Sequence, residues 1–151
     1  MAEIHVSGLS KSYPLSDGST RQALKDIDLH VAAGEFVCLL GPSGCGKTTL
    51  LNILAGLDTA DSGRVSVGDP AAPPTTSYMF QEPRLLPWRT VLGNLLFVLD
   101  EGGDSAKRKA EFWLERVGLP GRGNDFPRQL SIGQRQRVAV ARALIAKPDV
   151  L

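Results

Sequence analysis

A glycine-rich stretch at residues 41–49 contains the side chains best suited to chemistry. It reads Gly41-Pro42-Ser43-Gly44-Cys45-Gly46-Lys47-Thr48-Thr49 and has the spacing G-x-x-x-x-G-K-T. Its glycines allow positive φ angles, and a loop curled in this way turns successive N–H groups inward around an anion. Lys47 can reach β- and γ-phosphates, and the Thr48 hydroxyl suits Mg²⁺. The pattern therefore predicts a site for a nucleotide polyphosphate.

The segments on either side of this loop predict a strand before it and a helix after it. Residues 35–40 form a short apolar run, which is typical of a buried parallel strand. Residues 49–55 have a helical composition and are followed by Gly56, which suits the C′ position. This order would place the phosphates at a helix N-terminus, where the dipole favours anions. An ordinary glycine turn in an α/β protein is the alternative, which the flanking segments disfavour.

Composition and charge predict one globular domain in the cytosol. The chain has 151 residues, of which 42% are hydrophobic and 22% charged, enough for one core. A net charge of +1 disfavours a nucleic-acid binder held by bulk electrostatics. The N-terminus has no signal-peptide pattern, and no apolar stretch approaches membrane-spanning length. Cys38 and Cys45 lack the spacing of a metal cluster or disulfide framework, and we expect both to be buried or half-buried.

The N-terminal part of the chain predicts β structure outside the helix described above. Residues 4–6 and 27–31 alternate apolar and polar side chains, and Asp17-Gly18 between them is a hairpin signal. Residues 63–67 alternate in the same way and predict a third strand. Residues 68–76 are rich in proline and alanine and predict a surface loop.

After that loop the pattern changes from β to α. Residues 77–80 predict a short strand that delivers Gln81 at its end. Capping residues and apolar spacing then predict three helices, at residues 91–99 after Thr90, residues 106–117 ending at Gly118, and residues 132–146 after Ser131. The order predicts an α/β fold in which a nucleotide-binding core carries a helical insertion from about residue 82 to residue 130.

Three further features occur in an informative order around the glycine loop. Tyr13 lies upstream of it, Gln81 lies downstream in Phe-Gln-Glu-Pro, and residues 130–134 read Leu-Ser-Ile-Gly-Gln at the start of a helix. Together with residues 41–49, which match the Walker A motif, these features resemble the ATP-binding subunit of ABC transporters along essentially the whole chain. The resemblance implies a P-loop NTPase core of the ABC type with an N-terminal antiparallel β portion.

The resemblance also implies a role for each motif in binding ATP and Mg²⁺. Tyr13 would stack on adenine, and Gln81 would contact Mg²⁺ and the attacking water, since an amide oxygen can bind metal. Thr48 would be the other metal-binding side chain. Taken alone, Tyr13 could be a surface or core tyrosine, and Gln81 could be an ordinary surface glutamine.

Residues 131–134 correspond to the family signature, which completes the ATP site of a second subunit in a head-to-tail dimer. The Ser131 hydroxyl and the Gly133 N–H suit a γ-phosphate, and Gln134 follows them. Ile132 departs from the family pattern, which has glycine there. Because a β-branched residue cannot adopt unusual backbone angles or permit a close approach as glycine does, we expect a tolerated but weakened dimer.

Pro87-Trp88, shortly after Gln81, is similar to importer subunits of the nitrate, sulfonate and taurine class. By this resemblance, Trp88 near Phe97 would line a groove that accepts the membrane permease. The subunit would then lie on the cytoplasmic side of the cell membrane, and no nucleic-acid partner is expected. The alternative is a tryptophan packed inside the helical insertion. Trp113 lies on the apolar face of its helix and is expected in the core.

The family's next elements, the Walker B strand and the switch histidine, are not found in this sequence. Asp149 precedes the expected apolar run rather than ending it, and His5 and His30 lie in N-terminal strands. We therefore expect a partial ABC ATP-binding domain, incomplete at its C-terminus. It would comprise a β-rich core at residues 1–81, a helical subdomain at residues 82–130, and the signature helix with the start of the Walker B strand at residues 131–151.

Two alternatives to an importer ATPase remain open at this point. The chain could be a nucleotide-binding fragment that cannot hydrolyse ATP, or part of an ABC protein that does not act in transport.

Overall fold

The computed structural model describes residues 2–151, which form two compact units. The first unit extends to Thr76 and includes Val150, and the second comprises Ser77–Asp149 with Leu151. The predicted divisions after residues 81 and 130 stay predictions. Across the described residues, no helix has the length and apolar character required to cross a membrane.

An antiparallel sheet of three strands forms the framework of the first unit. The strands are β1 (Ile4–Pro14), β2 (Thr20–Val31) and β3 (Ser62–Val67), and β1 lies between the other two. The alternation at residues 4–6, 27–31 and 63–67 therefore predicted strands correctly. Strands β1 and β2 extend well beyond the alternating residues because their polar stretches continue to pair across the hairpin.

The hairpin turn that joins β1 to β2 lies where the Asp17-Gly18 signal predicted it. The Asp17 carboxylate accepts a hydrogen bond of 2.9 Å from the Ser19 N–H, and Gly18 has a φ of 82°. An aspartate that binds the backbone two residues later is a common turn-forming device. This local chemistry sets the register in which Pro14 pairs with Thr20.

Helix α1 (Lys47–Leu54) follows the glycine loop and packs on the sheet through Leu50 and Ile53. The helix is followed by Gly56 in the left-handed region at φ 70°, as predicted for its C′ residue. The buried core of this unit consists of Ile4, Val6, Leu9, Leu24, Leu50 and Ile53. This packing attaches the start of α1, and hence the glycine loop, to the sheet.

Both strands predicted next to the motifs are absent from the described chain. Residues 35–40 have no regular secondary structure, and Phe36 and Leu40 are about nine-tenths exposed. Residues 77–80 are likewise irregular. A strand exists only through hydrogen bonds to a neighbour, and no strand pairs with either segment among residues 2–151. The expectation of buried cysteines is also wrong, since Cys38 and Cys45 are free and exposed.

Three helices and a short 3₁₀ turn build the second unit. They are α2 (Val91–Leu96), α3 (Gly103–Arg116), the 3₁₀ turn (Pro127–Gln129) and α4 (Ile132–Ile145). The predicted caps Thr90 and Ser131 are confirmed, since each side-chain oxygen accepts a backbone N–H in the first turn of its helix. Helix α2 ends three residues earlier than predicted, where its hydrogen bonds shift to the tighter i→i−3 pattern.

The core of the second unit is formed by apolar side chains from all three helices. It consists of Val91, Leu95, Ala110, Leu114, Leu119, Leu130, Val138, Ala141 and Ile145, with Trp113 partly buried against it. The helical spacing in residues 106–117 therefore identified the inward face of α3 correctly.

A fully buried amide, Asn94 in α2, organises the loop that precedes its helix. Its side-chain oxygen accepts a 2.8 Å bond from the Leu86 N–H, and its nitrogen donates to the carbonyls of Leu86, Arg89 and Thr90. This one side chain binds four backbone groups of the loop, and two of them, the carbonyls of Leu86 and Thr90, also accept backbone N–H groups. Asn94 therefore fixes the loop that carries Trp88.

We predict that Asn94→Ala lowers the free energy of unfolding by about 1–3 kcal/mol, because it removes the side-chain partner of the part-buried Leu86 N–H and Arg89 carbonyl. Urea denaturation followed by circular dichroism measures this change. The exposed Asn124→Ala is the matched control and should alter stability by less than about 0.5 kcal/mol. Equal stability of the two variants would contradict the assigned role of Asn94.

Candidate functional site

An open groove of about 480 Å³ lies in the first unit, beside the glycine loop. It is lined by Tyr13, Leu15, Arg21, Ala23, Ser43, Gly44, Gly46, Lys47, Thr48 and Thr49. The hairpin thus supplies one side of the groove, and the glycine loop with the start of α1 supplies the other. Two cationic side chains and an aromatic ring meet in it, which suits a ligand with both an anionic and a planar part.

The glycine loop has the backbone conformation that its sequence predicted. Gly41, Gly44 and Gly46 have φ angles of 157°, 81° and 96°. At Gly46 a second constraint applies, because a Cβ atom there would lie 2.4 Å from the Ala23 carbonyl oxygen. Only glycine allows the helix to begin this close to β2.

Lys47, the first residue of α1, is held by the loop that it follows. Its ammonium donates hydrogen bonds of 2.8 Å to the carbonyls of Gly41 and Pro42, and it lies 3.5 Å from the Cys45 sulfur. These contacts keep the charge in the groove. Because the N-cap of α1 is Gly46, no side chain caps the first N–H groups of the helix. A bare helix start with an adjacent ammonium forms an electropositive site suited to phosphate.

Tyr13 lines the other side of the groove and is anchored through its hydroxyl. The hydroxyl donates a 2.5 Å hydrogen bond to the Asp58 carboxylate, which also pairs with Lys11 at 3.3 Å. This hydrogen bond raises the pKa of the Tyr13 phenol and lowers the pKa of Asp58. Burial opposes protonation of Lys11, but Asp58 and Asp61 outweigh it and raise the Lys11 pKa. The network fixes the hydroxyl end of the ring, which lines the groove.

Sequence reasoning missed two side chains of this site, Arg21 and Asp58. Arg21 pairs with Tyr13 across the hairpin and donates a 3.3 Å hydrogen bond to the Gly44 carbonyl. Counting residues outward from the Asp17-Gly18 turn could have placed Arg21 opposite Tyr13. No local signal indicated Asp58, because the contact joins residues 45 positions apart.

The remaining predicted site residues belong to the second unit. Gln81 is exposed in a bend rather than at the end of a strand. Close after it, Arg142 of α4 donates hydrogen bonds of 3.0 and 2.9 Å to the carbonyls of Arg84 and Pro83. Burial lowers the pKa of Arg142. Sequence reasoning also missed this contact, which attaches the segment following Gln81 to the helix that begins at the signature.

The signature residues form the start of α4. The Ser131 oxygen accepts from the Gln134 N–H, and the Gln134 side chain accepts from the Ser131 N–H at 2.9 Å, a reciprocal capping box. The space in which Gly133 would carry a Cβ is open. The N-terminus of α4 is therefore capped by its own side chains and carries a small residue, Gly133, in its first turn.

Ile132 occupies the first position of α4, where the backbone is helical and needs no left-handed angle. Isoleucine adopts this helical backbone without strain, so backbone angles give no reason for a weakened dimer, which stays a prediction. Its side chain is 67% exposed. What distinguishes it from glycine here is the volume that it adds to the surface.

Trp88 is 73% exposed, so it is not packed inside the helical unit. Phe97 is also exposed, and the Arg89 guanidinium lies 5.0 Å from its ring centroid. These side chains give the α2 region of the second unit a set of exposed aromatic groups, the kind of surface enriched at protein interfaces.

We predict that Asp58→Asn lowers the pKa of Tyr13 back toward its ordinary value of about 10. The carboxylate acceptor favours the protonated phenol, and a neutral amide favours it less. Absorbance titration of the phenolate measures the change. Tyr13→Phe assigns the signal, because Tyr78 is the other tyrosine of the chain. An unchanged Tyr13 titration in Asp58→Asn would contradict this hydrogen bond.

Comparison with known proteins gives one consistent result. The family model described as ABC transporter matches residues 24–151. An aliphatic sulfonates import ATP-binding protein SsuB of Rhodopseudomonas palustris (strain BisA53) is 47% identical over 94% of this chain and 53% of its own length. A second such protein, SsuB 3 of Pseudomonas savastanoi pv. phaseolicola, is 51% identical over 97% of this chain and 52% of its own length. The chain thus spans about half the length of these relatives.

Solved structures show the same fold. The dimeric post-hydrolysis structure of the ATP-binding cassette MJ0796, bound to ADP and Pi, matches with a TM-score of 0.83 at 32% identity, over 96% of this chain and 70% of that one. The dimeric structure of MJ0796 described as a bacterial ABC transporter cassette matches with a TM-score of 0.84. The α/β fold is therefore that of the P-loop NTPases, as the sequence predicted. The chain belongs to the ABC transporter family.

Proposed function

We propose that this chain is the nucleotide-binding part of an ATP-binding subunit of an ABC importer. The observation that carries the proposal is the groove in which Lys47, at the bare start of α1, lies opposite the anchored ring of Tyr13. A polyphosphate and a purine base are the two ligand parts that this arrangement fits. Membership of the ABC transporter family supports the same conclusion.

In this proposal ATP is held along the length of the groove. Tyr13 stacks on adenine, and the backbone of residues 41–46 surrounds the phosphates. The Lys47 ammonium then donates to β- and γ-phosphate oxygens instead of to the carbonyls of Gly41 and Pro42. Hydrogen bonds between an ammonium and a phosphate are charge-assisted. Thr49 completes the motif at the first turn of α1.

Mg²⁺ is the proposed metal, held by the hydroxyl of Thr48 and the amide oxygen of Gln81. Both are oxygen donors, the type that Mg²⁺ prefers, and both residues are exposed. The ion would supply positive charge against the phosphates. Gln81 is also the proposed catalytic residue, where it would orient the attacking water.

The proposed partner at the nucleotide is a second ATP-binding subunit. Ser131, Ile132, Gly133 and Gln134 would complete the ATP site of that subunit from the start of α4. The open space beside Gly133 and the dimeric state named for the MJ0796 structures support this. The exposed Ile132 side chain would add bulk at the contact and weaken dimer closure.

The proposed cargo is a small anion such as a sulfonate, taurine or nitrate. Support comes from the relatives named as aliphatic sulfonates import ATP-binding proteins. The subunit would lie at the cytoplasmic face of the membrane and bind the permease through the surface around Pro87 and Trp88. No nucleic-acid partner is proposed.

We predict that Lys47→Ala weakens binding of a fluorescent ATP analogue about 10- to 100-fold. This corresponds to the loss of charged hydrogen bonds worth about 1.5–3 kcal/mol. Fluorescence titration of the 151-residue chain in the presence of Mg²⁺ measures the dissociation constant. Lys25→Ala, an exposed lysine on β2, is the matched control and should bind as the unchanged chain does. Equal affinities in all three proteins would refute the groove as the nucleotide site.

We predict that Trp88→Ala weakens binding to the permease subunit at least about tenfold, since exposed tryptophans are frequent interface hot spots. Binding to the detergent-solubilised permease measures the effect. Phe112→Ala removes an exposed aromatic ring from α3 and serves as the control. The ATP analogue should bind Trp88→Ala normally. The assignment fails if the permease binds both variants equally well.

A further inference from the structure

Two histidines face each other on the exposed surface of the sheet. His5 of β1 and His30 of β2 are cross-strand partners, flanked on both strands by residues that turn toward the core. Their rings stack with centroids 4.4 Å apart and an angle of 23° between the planes. Both side chains are slightly more than half exposed, so their ring nitrogens are accessible to a small ligand.

The carboxylate of Glu3 joins the two rings. Its Oε1 atom lies 2.6 Å from Nε2 of His30 and 3.3 Å from Nε2 of His5. Glu3 is two residues before His5, which places both side chains on the same face of an extended chain. One oxygen and two imidazole nitrogens therefore converge, all within 4.8 Å of one another. Among residues 2–151, this is the one group of three histidine, cysteine or acidic side chains with such convergence.

The chemistry of these donors suits a divalent transition-metal ion. Two neutral imidazoles and a carboxylate are a frequent ligand set for Zn²⁺, with a fourth position open to water. Mg²⁺ and Ca²⁺ prefer oxygen donors and compete poorly at such a set. The site is distinct from the nucleotide groove, because Tyr13 lies eight residues further along β1, roughly 25 Å along an extended strand.

Binding of the ion requires small side-chain movements. Because the two rings are stacked 23° from parallel, at least one half-exposed imidazole must rotate so that both Nε2 lone pairs point at the same ion. Tetrahedral ligands about 2.0–2.1 Å from zinc lie roughly 3.3 Å from each other. The distance between Oε1 of Glu3 and Nε2 of His5 already has this value. The separation of Glu3 from His30 must widen by less than 1 Å, which rotation of the half-exposed Glu3 side chain can provide.

We propose that Glu3, His5 and His30 form a binding site for Zn²⁺ or a related first-row transition ion. The ion would link β1 to β2 at the end of the hairpin far from its turn. The three ligands come together only when the strands are paired, and the unfolded chain has no such preformed site. Binding of the ion would therefore stabilise the first unit.

The test is isothermal titration calorimetry of the 151-residue chain with Zn²⁺. A background with Cys38→Ser and Cys45→Ser excludes thiolate binding, since both cysteines are exposed. We expect one ion per chain in this background. His5→Gln and His30→Gln should each weaken binding at least about tenfold, because even the loss of an outer-sphere partner costs about 10–100-fold. Glu3→Gln should weaken it as well, whereas the exposed Glu82→Gln should have no effect.

A spectroscopic readout assigns the site independently of affinity. On addition of Zn²⁺, the imidazole NMR signals of both His5 and His30 should shift together and saturate at one equivalent. The same ion should raise the melting temperature of the cysteine-free chain, but not that of its His5→Gln form. Binding that survives both histidine substitutions, or histidine signals that do not saturate, would overturn the proposal and leave only an ordinary hydrogen bond between Glu3 and His30.

Discussion

The close contact between Gly46 and the backbone of Ala23 determines what the first unit presents to a ligand. Because Gly46 has no side chain, α1 can begin against β2, and Leu50 and Ile53 then reach the sheet. The same residue leaves the first turn of α1 without a side-chain cap. A single packing constraint therefore both seats the helix and exposes its electropositive end. Any larger residue would have to displace the helix that carries Lys47.

The second unit uses one buried and one half-buried polar side chain for a comparable purpose. Asn94 and Arg142 do not pair with other side chains but bind backbone carbonyls of the segment between residues 83 and 90. An irregular segment has carbonyl groups that no helix or sheet satisfies, so an amide or guanidinium beneath it supplies the missing donors. This is how an exposed tryptophan and the segment after Gln81 are held on a helical scaffold.

Local signals predicted the elements whose stability is local. The hairpin follows from Asp17-Gly18, and the starts of α2 and α4 follow from Thr90 and Ser131, because each of these residues binds backbone within three positions. The segments at residues 35–40 and 77–80 were predicted wrongly as strands. Their apolar composition favours burial, but a strand also requires a paired neighbour, which is a non-local condition. Phe36 shows the difference, since it is apolar and almost fully exposed.

The sequence by itself determined the loop at residues 41–49, its following helix, the capped signature helix and the family resemblance. These depend on φ angles that glycine permits and on hydrogen bonds between near neighbours, which a short window of residues specifies. Only the tertiary structure decided that Asp58 anchors Tyr13, that Arg21 reaches Gly44, that Arg142 holds the segment after Gln81, and that Glu3 lies between two histidines. Each of these contacts joins segments at least 20 residues apart, except that Glu3 and His5 are only two residues apart. The pairing and packing of whole elements bring such groups together, and no local spacing encodes that outcome.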